Sequence, residues 1–426
     1  MGIFLLILTN LAFPIVALGV VGGFLFSPRR RILKNLRAEL RERFAHEPSE
    51  SLPQNAIWVH CASVGEVTAM QELISRLKSF YQRDILVSTS TQAGKETAQK
   101  NPDIAKAVLA PLDFYPFCRR FIRQAHPYRL FIVERELWPN MIEAAYQANI
   151  PTSLVNGRIS QKSTYAYLLI KPLFKRILSH LHFAALQTEE DCARYQRLGM
   201  QPEHLKMCGN VKYDSLSDTP SKLSEIQQLL TNLHWGGKPV FVAGSTHPQE
   251  EVVLLRSAPD IIKTGTKIIF APRHLERKAE IENMLRQSKL HYAFASQKDF
   301  PASVDILCLD TMGMLQSAYA CSSLAFVGGS IVPRGAHNLL EPAMLTKTVL
   351  FGKYFYNTPL TAQALLERGG GILVNETNFK TKVLNLLADA PQRENMASKA
   401  RATALSFKGA TNHIMEVITH DEQPNA

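Results

Sequence analysis

The sequence predicts an α/β protein of two Rossmann-like domains facing one cleft, preceded by one N-terminal transmembrane helix. Three observations lead there. Short β-branched apolar runs alternate with helical periodicity through most of the 426 residues, as parallel βαβ units do. That rhythm stops over the polar stretch 215–238 and then restarts, which divides the chain into halves of similar size. Ahead of both lies an uncharged run, Ile3 to Phe26, which as a helix would be about 36 Å long, enough to cross a hydrocarbon core of about 30 Å.

From the N-terminus, Pro14 kinks such a helix without excluding a span. Arg29, Arg30, Arg31, Lys34 and Arg37 follow at once, and the positive-inside rule puts that flank and the rest of the chain in the cytoplasm. A cleaved signal peptide fits less well, because no basic region precedes the apolar run and the run is too long for a signal core. Residues 1–28 therefore read as an uncleaved anchor. Residues 29–50 read as a basic juxtamembrane segment, able to lie against anionic headgroups at roughly 1 kcal/mol per basic residue, or else as a solvated linker.

In the first domain, 51–214, strands are expected at Ile57–Ala62, Asp84–Thr89, Ala107–Leu112, Arg129–Val133, Thr152–Asn156, Phe183–Gln187 and His204–Cys208. Helical periodicity covers Val67–Phe80, Pro139–Gln147 and Glu189–Leu198. Turn formers in "SLSDTPSK" and "GGKP" mark 215–238 as a linker. The second domain, 239–426, restarts with a strand at Pro239–Thr246 and continues with Thr266–Ala271, Asp305–Asp310, Ser323–Val327, Thr348–Phe351 and Gly371–Val374.

Ligands of open parallel sheets bind outside the carboxyl ends of the strands, so the polar residues just after strands carry the functional argument. Glu66 follows the first strand, where Ser63 and Glu66 have the S-x-x-E spacing of a capping box. Cap and catalytic carboxylate are both open readings of that residue. "ERELWPN", Glu134 to Asn140, follows the fourth strand, and "CGNVKYD" after the seventh offers Lys212. Two carboxylates and a lysine at one sheet mouth can supply a base, an orienting group and a cation for developing charge. Taken singly, each also reads as a solvated loop. In the second half, "GSTHPQEE", "APRH" with Arg273, the Gly turn of "DTMGML", and "FVGGSIVPRGAHNLLEPA" with Glu341 suit a phosphate and a ribose diol. Neither a G-x-G-x-x-G fingerprint nor a Walker A loop occurs, which disfavours dehydrogenases and NTPases.

The net charge of +11 favours an acidic partner, a phosphate or an anionic membrane surface. No arginine-glycine tract or zinc-ligand pattern points to nucleic acid. The six scattered cysteines lack C-x-x-C spacing and read as free thiols of a reducing cytoplasm.

"ASVGE", "ERELWPN", "GNVKYD", "APRH" with Glu276-Arg277 behind it, and "GGSIVPRGAHNLLEPA" together resemble, in order, the signature segments of the bacterial 3-deoxy-D-manno-octulosonic acid (Kdo) transferases. Two positions depart from the usual pattern. Arg135 stands where many members carry a small or hydroxylated residue, and "MGM" lacks the acidic residue often found after the Gly. The resemblance implies an inverting GT-B glycosyltransferase of the bacterial inner membrane, anchored by one pass with its catalytic part on the cytoplasmic side. It implies CMP-Kdo as donor and a tetraacyl lipid A precursor (lipid IVA) as acceptor, in lipopolysaccharide core biosynthesis. On that resemblance Glu66 is the general base toward the acceptor 6′-hydroxyl, and Glu134 and Lys212 support the transition state. Pro272, Arg273, Met312, Gly313, Met314, Asn338, Leu339, Leu340 and Glu341 form the CMP-Kdo site. No D-x-D carboxylate pair appears, so neither metal nor cofactor is expected. A membrane-associated GT-B enzyme using a nucleotide diphosphate sugar, or a catalytically silent membrane-anchored binding module, are the alternatives.

Overall fold

A computed structural model of the chain describes residues 1–8, 10–11, 36–46 and 51–422. The described part forms two compact units, one of residues 1–215 with 408–426 and one of residues 216–407.

The first unit holds a parallel sheet of seven strands: β1 Ile57–Cys61, β2 Ile85–Thr89, β3 Ile104–Leu109, β4 Arg129–Val133, β5 Thr152–Gly157, β6 Leu181–Leu186 and β7 Leu205–Met207, in the spatial order β3-β2-β1-β4-β5-β6-β7. Helices cover both faces, so β1, β2, β4 and β5 are buried along their whole length, each with an apolar centre. Alternate residues of β1 still separate, with Trp58 joining one core and Ile57, Val59 and Cys61 the other. The order reverses between β1 and β4, and ligands of such sheets bind at the carboxyl ends beside that reversal.

The second unit repeats the scheme with β8 Val240–Thr246, β9 Lys267–Pro272, β10 Tyr292–Phe294, β11 Ile306–Cys308, β12 Leu324–Val327, β13 Val349–Phe351 and β14 Gly371–Leu373, ordered β10-β11-β9-β8-β12-β13-β14. Its reversal falls between β8 and β12. The three-residue edge strand β10 is absent from the sequence reading.

Several expectations are corrected. The third strand runs Ile104–Leu109 rather than 107–112, ending before Pro111, which has no N–H for a ladder. The helix expected over 67–80 starts at Val64 and divides at Met70 into Val64–Ala69 and Gln71–Tyr81. Of the 215–238 linker, residues 216–238 are part of the second unit, with Ile226 of the helix Leu223–Asn232 fully buried and the Trp235 indole donating to the Val304 carbonyl at 3.0 Å. The second domain does not extend to 426. The chain returns to the first unit at 408, and the helix Ala410–Glu422 buries Ala410, Ile414 and Ile418 in the core that contains Val59 and Phe131. Part of the 29–50 segment is likewise packed against the domain, with Ala45 buried, the Leu109 N–H donating to Glu42 at 2.7 Å and the Arg43 guanidinium donating to the Ser90 carbonyl at 2.9 Å.

Of the expected anchor, residues 2–8 and 10–11 are helical, and Leu6 is buried against the first unit. The remainder of the Ile3–Phe26 run lies outside the described residues. Among the described residues no helix is long and apolar enough to cross a membrane.

Candidate active site

In the first unit the reversal point collects the polar residues singled out above. Ser63, in extended backbone, caps the helix Val64–Ala69, and its hydroxyl accepts the Glu66 N–H at 3.4 Å. The Glu66 carboxylate turns back to accept the N–H of Ala62 at 2.6 Å, one residue before the cap, so the capping box forms with its acceptor displaced. A helix start would hold Glu66 ionised and weakly basic. The site does the opposite. Burial, and the charges of Glu134 and Glu136, raise its pKa above the ordinary carboxylate value, while the Ala62 N–H and Lys212 restrain the rise.

Glu134 caps β4 in left-handed backbone (φ 57°), a conformation that costs a side-chain-bearing residue free energy and is kept only where the surroundings enforce it. Its carboxylate is 2 % exposed, and it accepts Lys212 Nζ at 2.6 Å and Arg158 Nε at 2.9 Å. Burial alone would raise its pKa, but the two cations bring it below the usual value. Lys212 is delivered by a loop held on both sides. Asn156 Oδ1 accepts the Val211 N–H at 3.2 Å, Asn210 Oδ1 accepts the Lys212 N–H at 3.0 Å, and Asp214 accepts the N–H groups of Gly409 and Thr411.

Glu66, Glu134 and Lys212 are therefore together. Sequence reasoning missed Arg158, which directly follows β5 in "NGRIS"; an arginine at a strand's carboxyl end was the available signal. It also missed His60, inside the apolar run of β1. His60 Nδ1 meets Ser88 Oγ at 2.9 Å, and burial pushes its pKa down to about 4. Its Nε2 has no hydrogen-bond partner among the described residues and lies 3.9 Å from Glu136, whose carboxylate accepts the Trp138 indole N–H at 2.8 Å.

The second unit supplies the other group. Arg273 leaves β9 with its N–H bonded to the Thr246 carbonyl at 3.0 Å. A cavity of about 190 Å³ is lined by Arg273, Ser245, Tyr319, His337, Asn338 and Glu341 among others. Asn338 donates to Glu341 at 3.2 Å, and burial raises the pKa of that carboxyl against the pull of Asn338 and Arg273. Pro272 is buried beside Arg273. Leu339 and Leu340 put their side chains into the core, so only their backbone can meet a ligand. Met312 is exposed, Gly313 turns in left-handed backbone (φ 80°), and Met314 is buried; none of the three lines this cavity, although the next residue, Leu315, does. Arg277 is committed elsewhere, bidentate to the buried Glu251 at 2.8 and 3.1 Å.

The loop after β12 is fixed by Glu250, 1 % exposed, which accepts four backbone N–H groups: Gly329 at 2.8 Å, Ser330 and Ile331 at 2.9 Å, and His247 at 3.1 Å. A Cβ on Gly328 would meet the Ser245 carbonyl oxygen at 2.3 Å, so only glycine lets the two turns approach.

Residues 38–215 match the family profile described as 3-deoxy-D-manno-octulosonic-acid transferase (kdotransferase). A 3-deoxy-D-manno-octulosonic acid transferase of Haemophilus influenzae is 31% identical over 390 residues, covering 90% of this chain and 91% of that protein. A bifunctional glycosyltransferase/methyltransferase of Fusobacterium nucleatum is 32% identical over 402 residues, 91% of this chain, and this chain spans 62% of its length. Among solved structures, a glycosyltransferase from Rickettsia africae aligns with a TM-score of 0.59 at 11% identity, covering 87% of this chain and 100% of that one, a likeness of fold. The paired parallel sheets are those of a GT-B-like glycosyltransferase, and the chain belongs to the 3-deoxy-D-manno-octulosonic acid (Kdo) transferase family.

Proposed function

We propose that this protein is an inverting transferase that moves Kdo from CMP-Kdo to the 6′-hydroxyl of a tetraacyl lipid A precursor in lipopolysaccharide core biosynthesis. The observation that carries the reading is Glu66, a carboxylate of raised proton affinity beside the Lys212–Glu134–Arg158 ion cluster at the mouth of a parallel sheet. Glu66 takes the proton of the acceptor hydroxyl, and the acceptor oxygen then attacks the anomeric carbon as the bond to CMP breaks. A positioned base is worth about 10² to 10⁴ in rate, or roughly 3 to 5 kcal/mol. The attacked carbon already bears a carboxylate, so the transition state is oxocarbenium-like with negative charge on either side. Lys212, oriented by Glu134, answers that charge electrostatically.

CMP is held in the second unit by Arg273 at the phosphate and Glu341 with Asn338 at the ribose, with Pro272, Leu339 and Leu340 contributing backbone and shape. The Met312–Gly313–Met314 turn borders the base. The reaction needs no Lewis acid for a monophosphate leaving group, so transfer is expected to persist in a chelator; loss in chelator with restoration by magnesium or manganese would overturn that part. The uncharged run Ile3–Phe26 and the arginines and lysine that follow support a single-pass anchor in the inner membrane with the catalytic part cytoplasmic. Extraction of membranes at alkaline pH tests it, a chain released with peripheral proteins being the contrary result.

The deciding experiment is mass spectrometry of the lipid after incubation with CMP-Kdo and tetraacyl lipid A precursor. A mass increase of one or more Kdo residues is expected with the wild-type chain, and one formed about 10² to 10⁴ times more slowly with Glu66→Gln. Turnover with a uridine diphosphate sugar instead would replace the donor.

A further inference from the structure

The loops after β8 and β12 flank the reversal point of the second sheet, and each delivers one histidine. His247 Nε2 and His337 Nε2 lie 3.2 Å apart, with ring planes within 8° of parallel. Two neutral imidazoles at that separation share one proton, one ring donating Nε2–H to the other's lone pair. His274, from the loop after β9, stands edge-on to His247 with ring centroids 5.5 Å apart. The charged groups acting on the pair are Arg273, Arg277 and Arg334 together with His274.

Arg277 is also paired with Glu280 at 2.6 Å and His274 with Glu276 at 3.0 Å, so Arg273 and Arg334 are the cations left to act on the pair. Glu250 is used by four backbone N–H groups, Glu251 by Arg277, and Glu341 by Asn338 and the charge of Arg273. Burial, followed by the surrounding cations, pushes His337 down to about 4 and lowers His247 as well. Two imidazoles kept neutral by burial and by neighbouring guanidinium groups form a site whose charge balance an incoming anion reverses. His337 and Arg273 line the same 190 Å³ cavity, with Ser245 and Asn338 beside them.

Resting on the donor reading above, we propose that His247 and His337 act as a proton-accepting clamp for the anionic group of the donor, so that donor binding takes up a proton and weakens as the pH rises. The proton comes from solvent and enters on the second nitrogen of the donating ring. The Nε2–H···Nε2 bond is kept, and the pair becomes a single cation against the phosphodiester. Affinity is then full below the pKa of the free pair, falls by up to about tenfold per pH unit between that value and the pKa of the liganded pair, and levels off above it.

The test is isothermal calorimetry on the full chain in detergent with cytidine 5′-methylphosphate, whose phosphodiester does not titrate between about pH 5.5 and 8.5, in buffers of different ionisation enthalpy. Uptake approaching about one proton is expected for the wild type. It should vanish in both His337→Gln and His247→Asn, the second keeping a residue suited to the helix cap, with circular dichroism verifying that each is folded. Cytidine, which lacks the anion, should bind without proton exchange. Proton-neutral, pH-independent binding by the wild type, or uptake retained in both variants, overturns the clamp while leaving CMP as the ligand. If no cytidine compound binds and a uridine diphosphate does, the donor reading falls and the clamp with it.

Discussion

Glu66 and Glu134 carry one charge type in neighbouring positions and are driven in opposite directions, Glu66 up by burial and by its carboxylate neighbours, Glu134 down by its two cations despite burial. Replacing Glu66 by Gln should cost about 10² to 10⁴ in kcat with little change in the KM for donor. A carboxylate whose folded pKa lies above its unfolded one destabilises the fold once ionised, so the same variant should melt higher than wild type at neutral pH. The acid limb of kcat/KM should follow Glu66, rising as pH climbs through its elevated pKa. Lys212→Met should move that limb to higher pH, because the lysine charge is among the influences that lower Glu66; an unmoved limb would separate the two groups. Glu134 has the reverse linkage: it stabilises above the unfolded value of about 4.3, and that contribution is lost as pH falls through the depressed folded pKa. The three residues were legible because each sits just after an apolar strand. The direction of the Glu66 shift was not, since a helix start and a buried carboxylate cluster pull oppositely and only the fold determines which is larger.

At the scale of elements, Glu250 turns a glycine-rich run into a fixed loop. Its removal as Glu250→Ala would leave the buried N–H groups of Gly329, Ser330 and Ile331 without their acceptor. At about 1 to 3 kcal/mol for a buried unsatisfied group, the loss should be at least about 3 kcal/mol in urea unfolding, with weaker CMP binding in the same variant. Gly328→Ala should be comparably damaging, since the new Cβ would meet backbone at 2.3 Å rather than a movable side chain. "GSTHPQEE" reads as a turn and helix start, and that much holds. The partner of Glu250 lies 79 to 81 residues away and leaves no local signal. The same holds for the division at Met70, where the apolar periodicity continues although the backbone does not.

For the molecule as a whole, the consequential feature is the return of residues 408–422 to the first unit. Ile414 and Ile418 are fully buried there, Arg129 pairs with Asp421 and Glu422, and Asp214 is held by the N–H groups of Gly409 and Thr411. A chain ending after Phe407 would expose two isoleucines' worth of core, roughly 3 to 6 kcal/mol, and release the anchor of the Lys212 loop. Hydrogen exchange should then report loss of protection in the first sheet while the second unit keeps its own. Transfer activity should fall even at temperatures where the first unit stays folded. Equal loss in both units would mean that the terminal helix supports them jointly.

Short apolar, β-branched runs alternating with helical periodicity, bounded by Gly, Pro and Asn turns, determined two parallel α/β sheets and the residues at their carboxyl ends, because those signals are local and repeat along the chain. The tertiary structure decided which ends meet. It paired Glu134 with Arg158 across 24 residues, set His247 against His337 across 90, and brought the C-terminal helix home to the first sheet. Each of these is a long-range contact in which at least one partner is buried, and its free energy depends on desolvation that exists only once the fold has closed around it.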